Sequence, residues 1–453
     1  PRWRAWIVVA LMFLFMLINF ADKAVIGLAA VPMMHDLGLT PQQLGLVGSS
    51  FFLLFSTAGV LFGFAANRIK AKWLLAVLAL AWALVQFPLV GTVSFPLLIL
   101  CRILLGAGEG PAYPLAIHAT YRWFDNSKRS IPSAIVLQGA NTGMLLAGPC
   151  LTYLIIHYDW HRAFLVLGIA GCVWTVLWLL LGAEGTVDET ADAADAMAAQ
   201  TAQPPGQHVP YRRLIVDPTL VGCILLTFVG YSVLSVGFTW FPAYLRLALG
   251  YPAADAGWLF SLIVSAGIPV TLAASFLSQW LGGRGVSSRL SRGVMTSVPV
   301  ALAGLALFGT TLALSPALKV LCLSATNVLS QLIFFFGPLM IGEVTPIKQR
   351  AAWLGINASL GTLAGLIAPA LMGHFVSDTQ GIAEGFRHGF TVLGCILVPC
   401  GVLGIWLLNP ERSVRAAIGQ GSIPPSSRRQ DSSSGLATRR MDHVSTTDNC
   451  GYT

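Results

Sequence analysis

Residues 95–121 read FPLLILCRILLGAGEGPAYPLAIHATY, a long apolar run that holds one arginine, Arg102, and one glutamate, Glu109. Near the start of the chain, residues 5–31 read AWIVVALMFLFMLINFADKAVIGLAAV, with Asp22 and Lys23 side by side in a run of the same length. Roughly 20 consecutive apolar residues span a bilayer as a helix, so both runs can cross one and their four charges lie at membrane depth. An ionised side chain at the bilayer centre costs about 2.5–3.5 kcal/mol on insertion scales, which makes each a functional-site candidate. These four residues carry most of what the sequence says about function.

The rest of the chain has the same character. Hydrophobic residues make up 55% of 453 positions and charged residues 10%, against about 25% charged in a water-soluble domain. Mean hydropathy is +0.73. Twelve apolar stretches can be counted: 5–31, 43–66, 73–93, 95–121, 132–156, 161–182, 218–246, 255–282, 293–314, 317–342, 351–376 and 387–409. The expected fold class is therefore all-α and polytopic, with twelve transmembrane helices. The first run is too long for a signal-peptide core and lacks a small-residue cleavage site, so no cleaved leader is expected. Seven of the eight cysteines are scattered through the apolar runs, with neither a disulfide framework nor a metal-ligand spacing. No cofactor and no metal are expected.

A net charge of +8 invites a nucleic-acid partner, but the placement of the basic residues argues against one. Counting loops from the N-terminus, one side carries Arg2, Arg4, Arg68, Lys70, Lys72, Arg122, Lys128, Arg129, Arg212, Arg213, Arg284, Arg289, Arg292, Lys348 and Arg350. The other carries only Arg162, Arg246, Lys319 and Arg387. That asymmetry is the positive-inside pattern and places both termini in the cytoplasm; a bacterial inner membrane is the expected location.

Hydropathy breaks over residues 183–217, a stretch rich in Ala, Thr and Pro with five acids before the pair Arg212–Arg213. It reads as a mobile cytoplasmic linker between two six-helix bundles, 1–182 and 218–410. Residues 411–453 are Ser- and Arg-rich without apolar periodicity and read as a disordered tail. The bundles echo each other. KRSIPSAIVLQGANTGMLLAGP (128–149) and QRAAWLGINASLGTLAGLIAP (349–369) both follow an even-numbered run and point the same way. Six plus six helices in parallel repeat are an architecture of secondary transporters, with the site at the repeat interface.

At about 1.5 Å per residue, Asp22 lies roughly 13 Å below the outer end of its run, Arg102 roughly 10 Å and Glu109 roughly 21 Å, near the midplane. Asp22 and Arg102 are thus level and could pair. Lys23 points about 100° away from Asp22, free to meet a substrate anion or, alternatively, to bridge to Glu109. A carboxylate at that depth can pick up and release protons, as in pumps and transporters. Gly106, Gly108 and Gly110 read as a close-packing surface for a neighbouring helix.

These residues resemble the major facilitator superfamily, and within it the anion:cation symporter family of hexuronate, galactonate and glucarate transporters. NFADKAVIGLAA (19–30) resembles the family's first-helix acid–cation stretch, and GFAANRIKAKW (63–73) the signature after the second helix. RILLGAGEGPAYP (102–114) resembles the fourth helix, and YSVLSVGFTWFPAYL (231–245) the aromatic segment of the seventh. The resemblance implies two six-helix bundles around a central cavity, working by alternating access on a small organic anion such as a carboxylate or sugar acid, with proton-coupled uptake. It assigns proton coupling to Asp22 and Glu109 and gating to Asn67 and Arg68, with Asn67 standing where the signature has an aspartate. Substrate contacts would come from Lys23, Arg102, Tyr113, Asn141, Tyr231, Trp240 and Asn357. Departures from the sugar-acid members at Phe55, Ala116, Ile117, Ala140 and Thr362 remove hydrogen-bonding groups and favour a ligand with few hydroxyls. Partners expected are that anion, protons and lipid, in a monomer. The alternatives are a proton-coupled exporter of an anion or drug and a transport-dead sensor; an enzyme is not expected.

Overall fold

The computed structural model describes residues 2–66, 68–124, 128–185, 210–378 and 381–419. Among the described residues twelve helices are long and apolar enough to cross a membrane: α1 (Trp3–Leu37), α2 (Pro41–Ala65), α3 (Ala71–Val90), α4 (Phe95–Tyr121), α5 (Ile131–His157), α6 (Trp160–Leu181), α7 (Pro218–Leu247), α8 (Ala253–Gly283), α9 (Arg289–Gly309), α10 (Pro316–Val344), α11 (Ala352–Asp378) and α12 (Ile382–Leu407). A helix satisfies its own backbone in a medium without water, and short polar signals set where several begin. Thr40 and Gln43 form a reciprocal cap with Pro41 in the first turn. Asp217 precedes Pro218, Ser315 precedes Pro316, and each side chain accepts amide N–H groups of the first turn. Such caps take up donors that no carbonyl can reach.

The two bundles pack alike. In the first, α1 lies on α5 and α3 on α6; in the second, α7 lies on α11 and α9 on α12. Across the divide α2 packs on α11, α5 on α8 and α1 on α7, so exchanging the bundles interchanges the first two contacts and maps the third onto itself. Four helices are interrupted, and they too form equivalent pairs: α2 at residues 51–54 with α8 near Ala266, and α4 at Gly110–Pro111 with α10 at Gln331.

The bundles meet on the face opposite the termini. There Ser49 Oγ of α2 accepts the Ala370 N–H of α11 at 3.0 Å. Ser261 Oγ of α8 accepts the Gly148 N–H of α5 at 3.1 Å and donates to the Met144 carbonyl at 3.1 Å, inserting a hydroxyl into a turn of α5. Toward the termini the same helices part: a Cβ built on Gly63, Gly267, Gly282 or Gly355 would meet nothing within 4 Å.

Two boundaries differ from the sequence reading. The tail does not begin unstructured at residue 411, because Pro410–Gly419 is helical. Asn409 Oδ1 accepts the Arg412 N–H at 3.1 Å, and Glu411 Oε1 accepts the Ser288 N–H at 2.7 Å. A ten-residue helix held by caps and polar contacts has no apolar run to announce it. Nor is the segment 183–217 free at its ends. Glu184 accepts the Ala71 and Lys72 N–H groups at the start of α3 and pairs with Arg122 at 3.4 Å, and Tyr211–Ile215 forms a short helix. Residues 186–209 and 420–453 lie outside the described residues.

Candidate functional site

The site is assembled where α1, α2, α3 and α4 converge. Gly106 and Gly110 of α4 lie against the backbone of α2: a Cβ on either would sit 1.8 Å and 2.0 Å from the carbonyl oxygens of Phe51 and Phe55. The glycine row is therefore a packing surface, and its consequence is chemical. It brings the rings of the interrupted α2 segment around the charges of α1 and α4.

Lys23 Nζ lies 2.6 Å from Glu109 Oε2 and 2.5 Å from Asn19 Oδ1. Three rings surround the ammonium, with centroids 4.7 Å (Phe20), 5.8 Å (Phe51) and 5.9 Å (Phe55) away. The Arg102 guanidinium stands 4.9 Å over the Phe51 ring. Among the described residues it has no carboxylate within 4.0 Å, and its buried Nε and Nη1 have no hydrogen-bond partner. Asp22 Oδ1 accepts from Gln86 Nε2 of α3 at 3.0 Å, while Oδ2 is unpartnered. All four charged residues are between 0% and 8% exposed, so bulk water does not screen them.

The level pair between Asp22 and Arg102 is not formed; Lys23 and Glu109 pair instead. Depth along the helix axis put the right residues in one layer, but rotation about that axis selects partners. Asp22 turns toward α3, and the long lysine stem reaches the deeper glutamate. Gln86 escaped the sequence reading; its only signal is an isolated amide in the apolar stretch AWALVQF (81–87).

The other expected residues are divided. Tyr113, beyond the break in α4, is 44% exposed. Asn141 Nδ2 donates to Gln138 at 3.2 Å. Tyr231 sits edge-on to Phe334 at 4.9 Å, and Asn357 Nδ2 donates to Thr227 Oγ1 at 3.1 Å on the facing helix. Trp240 is not at the site. It is fully buried, its indole N–H donates to the Pro369 carbonyl at 3.0 Å, and its ring packs on Phe386; it ties α7 to α11 and α12. Arg68 is exposed just past the end of α2, and Asn67 lies outside the described residues.

Two pseudo-equivalent bundles that meet on one face beside a buried set of charges define the class, a membrane transporter. The model of the Major Facilitator Superfamily matches residues 12–338, and the chain belongs to that superfamily, whose members here are transporters and not enzymes. It is 26% identical over 419 residues to the hexuronate transporter of Bacillus subtilis (strain 168), covering 91% of this chain and 95% of that one. With the probable sulfoacetate transporter of Cupriavidus necator it shares 27% identity over 425 residues, covering 90% and 94%. Its fold is similar to that of a bacterial homologue of the human lysosomal transporter Spinster in an inward-facing, occupied conformation, with TM-score 0.72, 17% identity and coverage of 90% and 97%.

Proposed function

We propose that this chain takes up a small organic anion together with protons, from the face opposite its termini to the face that carries them. The observation that carries the reading is the pairing in the core: Lys23 is held by Glu109 while Arg102, beside it, has buried N–H groups without an acceptor. An anion entering the layer has one vacant cation to meet and one cation to win from its carboxylate. An uncompensated charge in a dry interior costs several kcal/mol, so Glu109 is neutralised by a proton when the substrate takes Lys23. Anion and proton then travel as a neutral set. When the anion leaves, Lys23 and Glu109 pair again and the proton is released. Asp22, with one oxygen on Gln86 and the other unpartnered, is the second proton-carrying group in this scheme.

Relatives named for hexuronate and for sulfoacetate support an organic anion as cargo, and the excess of basic residues on the termini side supports a cytoplasmic placement of that face. Asn67 and Arg68 keep the gating role on that side as part of the proposal. The test is uptake of labelled organic acids into proteoliposomes with and without an inward proton gradient. The wild type is expected to accumulate its substrate only with the gradient. Glu109→Gln, a mimic of the protonated state, is expected to keep anion exchange and lose gradient-driven accumulation. Full pH-driven accumulation by Glu109→Gln would remove Glu109 from the coupling step.

A further inference from the structure

The proposed function leaves the body of the anion unspecified, and the surroundings of Arg102 and Lys23 narrow it. On the α2 side, Phe51, Phe52 and Phe55 form a triad with ring centroids 5.1–5.9 Å apart. The triad does not end at the bundle boundary. Phe52 lies over Gly365 of α11, where a Cβ would come within 2.5 Å of the ring, and one turn away Tyr231 of α7 lies over Gly361 at 3.1 Å. Tyr231 in turn meets Phe334 of α10 edge-on. Two glycines one turn apart on α11 thus receive an aromatic ring from each bundle, Phe52 from the first and Tyr231 from the second. One hydroxyl contact joins α2 to α11 there, between Ser56 and Thr362.

Most of the neighbouring polar atoms are already engaged, Asn19 Nδ2 being, among the described residues, a buried donor without a partner. Asn19 Oδ1 is on Lys23, Asn141 is on Gln138, and Gln331 Nε2 is on Asn327 Oδ1 at 2.8 Å. Asn327 Nδ2 is on the Ile263 carbonyl at 3.3 Å, and Asn357 is on Thr227. A polyhydroxylated chain would have to break these pairs or leave its own hydroxyls unpaired, and a polar group buried without a partner is costly. A ring makes neither demand, and stacked or edge-on ring pairs favour aromatic over aliphatic bodies of equal area.

We propose that the ligand is an aromatic monocarboxylate, its carboxylate on Arg102 and Lys23 and its ring on a floor formed by Phe51, Phe52, Phe55, Tyr231 and Phe334. This rests on the anion-transport reading above and sharpens it. Placed over Phe51, Arg102 presents N–H donors beside a ring face, so the carboxylate of a benzoate-like molecule can meet the guanidinium while its ring continues along the triad.

The experiment is ligand binding to the purified full chain by thermal shift and calorimetry. The probes are benzoate, cyclohexanecarboxylate, butyrate and galactonate. Benzoate is expected to bind about two- to tenfold more tightly than cyclohexanecarboxylate, the scale of a ring–ring contact beyond area, and more tightly still than butyrate or galactonate. Phe55→Leu is expected to erase most of the preference for benzoate over cyclohexanecarboxylate while leaving butyrate within about twofold. Phe334→Leu, on the opposite bundle, is the second variant should the first not fold. Tighter binding of galactonate than of benzoate would overturn the aromatic assignment and leave anion transport standing, as would equal binding of benzoate and cyclohexanecarboxylate. If none of the four probes bound at any attainable concentration, both readings would fall.

Discussion

The two bundles share a backbone plan but not a charge plan. The first buries Asp22, Lys23, Arg102 and Glu109; among the described residues the second buries no Asp, Glu, Lys or Arg at all. Where the first bundle has an ion pair and a vacant guanidinium, the second has neutral groups that satisfy one another, Asn357 with Thr227 and Gln331 with Asn327. A proton or an anion changes the energy of a buried charge by several kcal/mol, but a satisfied amide–hydroxyl pair responds to neither. The proposed function accordingly assigns the sensing of cargo and proton to the first bundle and leaves the second as the uncharged wall opposite it.

The largest test of that division is Arg102→Ala. Truncating one partner of a buried charge contact typically costs about 2–5 kcal/mol, so kcat/KM for anion uptake should fall by roughly thirtyfold to several thousandfold. Arg102→Lys should restore only part of it, because lysine offers a compact point charge in place of a planar fork. Near-normal uptake by Arg102→Ala would move anion recognition away from the first bundle. An intermediate effect is expected at Lys23. Lys23→Ala should raise the KM for the anion by roughly tenfold to a hundredfold, the scale of one charge-assisted contact of about 1.5–3 kcal/mol. It should also leave Glu109 without its cation, so the remaining uptake should depend less steeply on external pH. An unchanged pH profile would argue that the pair is only structural. The smallest effect is expected in the second bundle. Asn357→Ala removes a neutral hydrogen bond worth about 0.5–1.5 kcal/mol, and uptake should change by less than about tenfold with the proton dependence intact. A loss of coupling in Asn357→Ala would break the comparison outright.

Much of this molecule is legible in one dimension because a bilayer makes strict demands on sequence. Apolar runs of the required length named the twelve spans, and repeated stretches after the fourth and tenth announced the two-bundle plan. Charges at membrane depth stood out because they are costly there. The glycines of α4 were readable as a packing face for the same reason of spacing. The misses share a cause. Trp240 sits in a segment rich in aromatic residues, yet which of those rings faces a cavity depends on the rotation of α7 against α11 and α12. Gln86 and Thr227 are single polar residues whose role exists only through a partner on another helix. Glu184 and Glu411 looked like parts of solvated segments until the starts of α3 and α9 were seen beside them.

By itself, the sequence determined that the chain lies in a membrane, that it has twelve spans in two parallel halves, and which four residues bring charge into the core. Those properties depend on composition, length and spacing along one chain. The tertiary structure alone decided that Lys23 takes Glu109, that Arg102 is left vacant, and that Phe52 packs on Gly365 while Tyr231 packs on Gly361. Such choices depend on how each helix is turned about its axis and how closely its backbone approaches its neighbour, and no periodicity along the sequence encodes either.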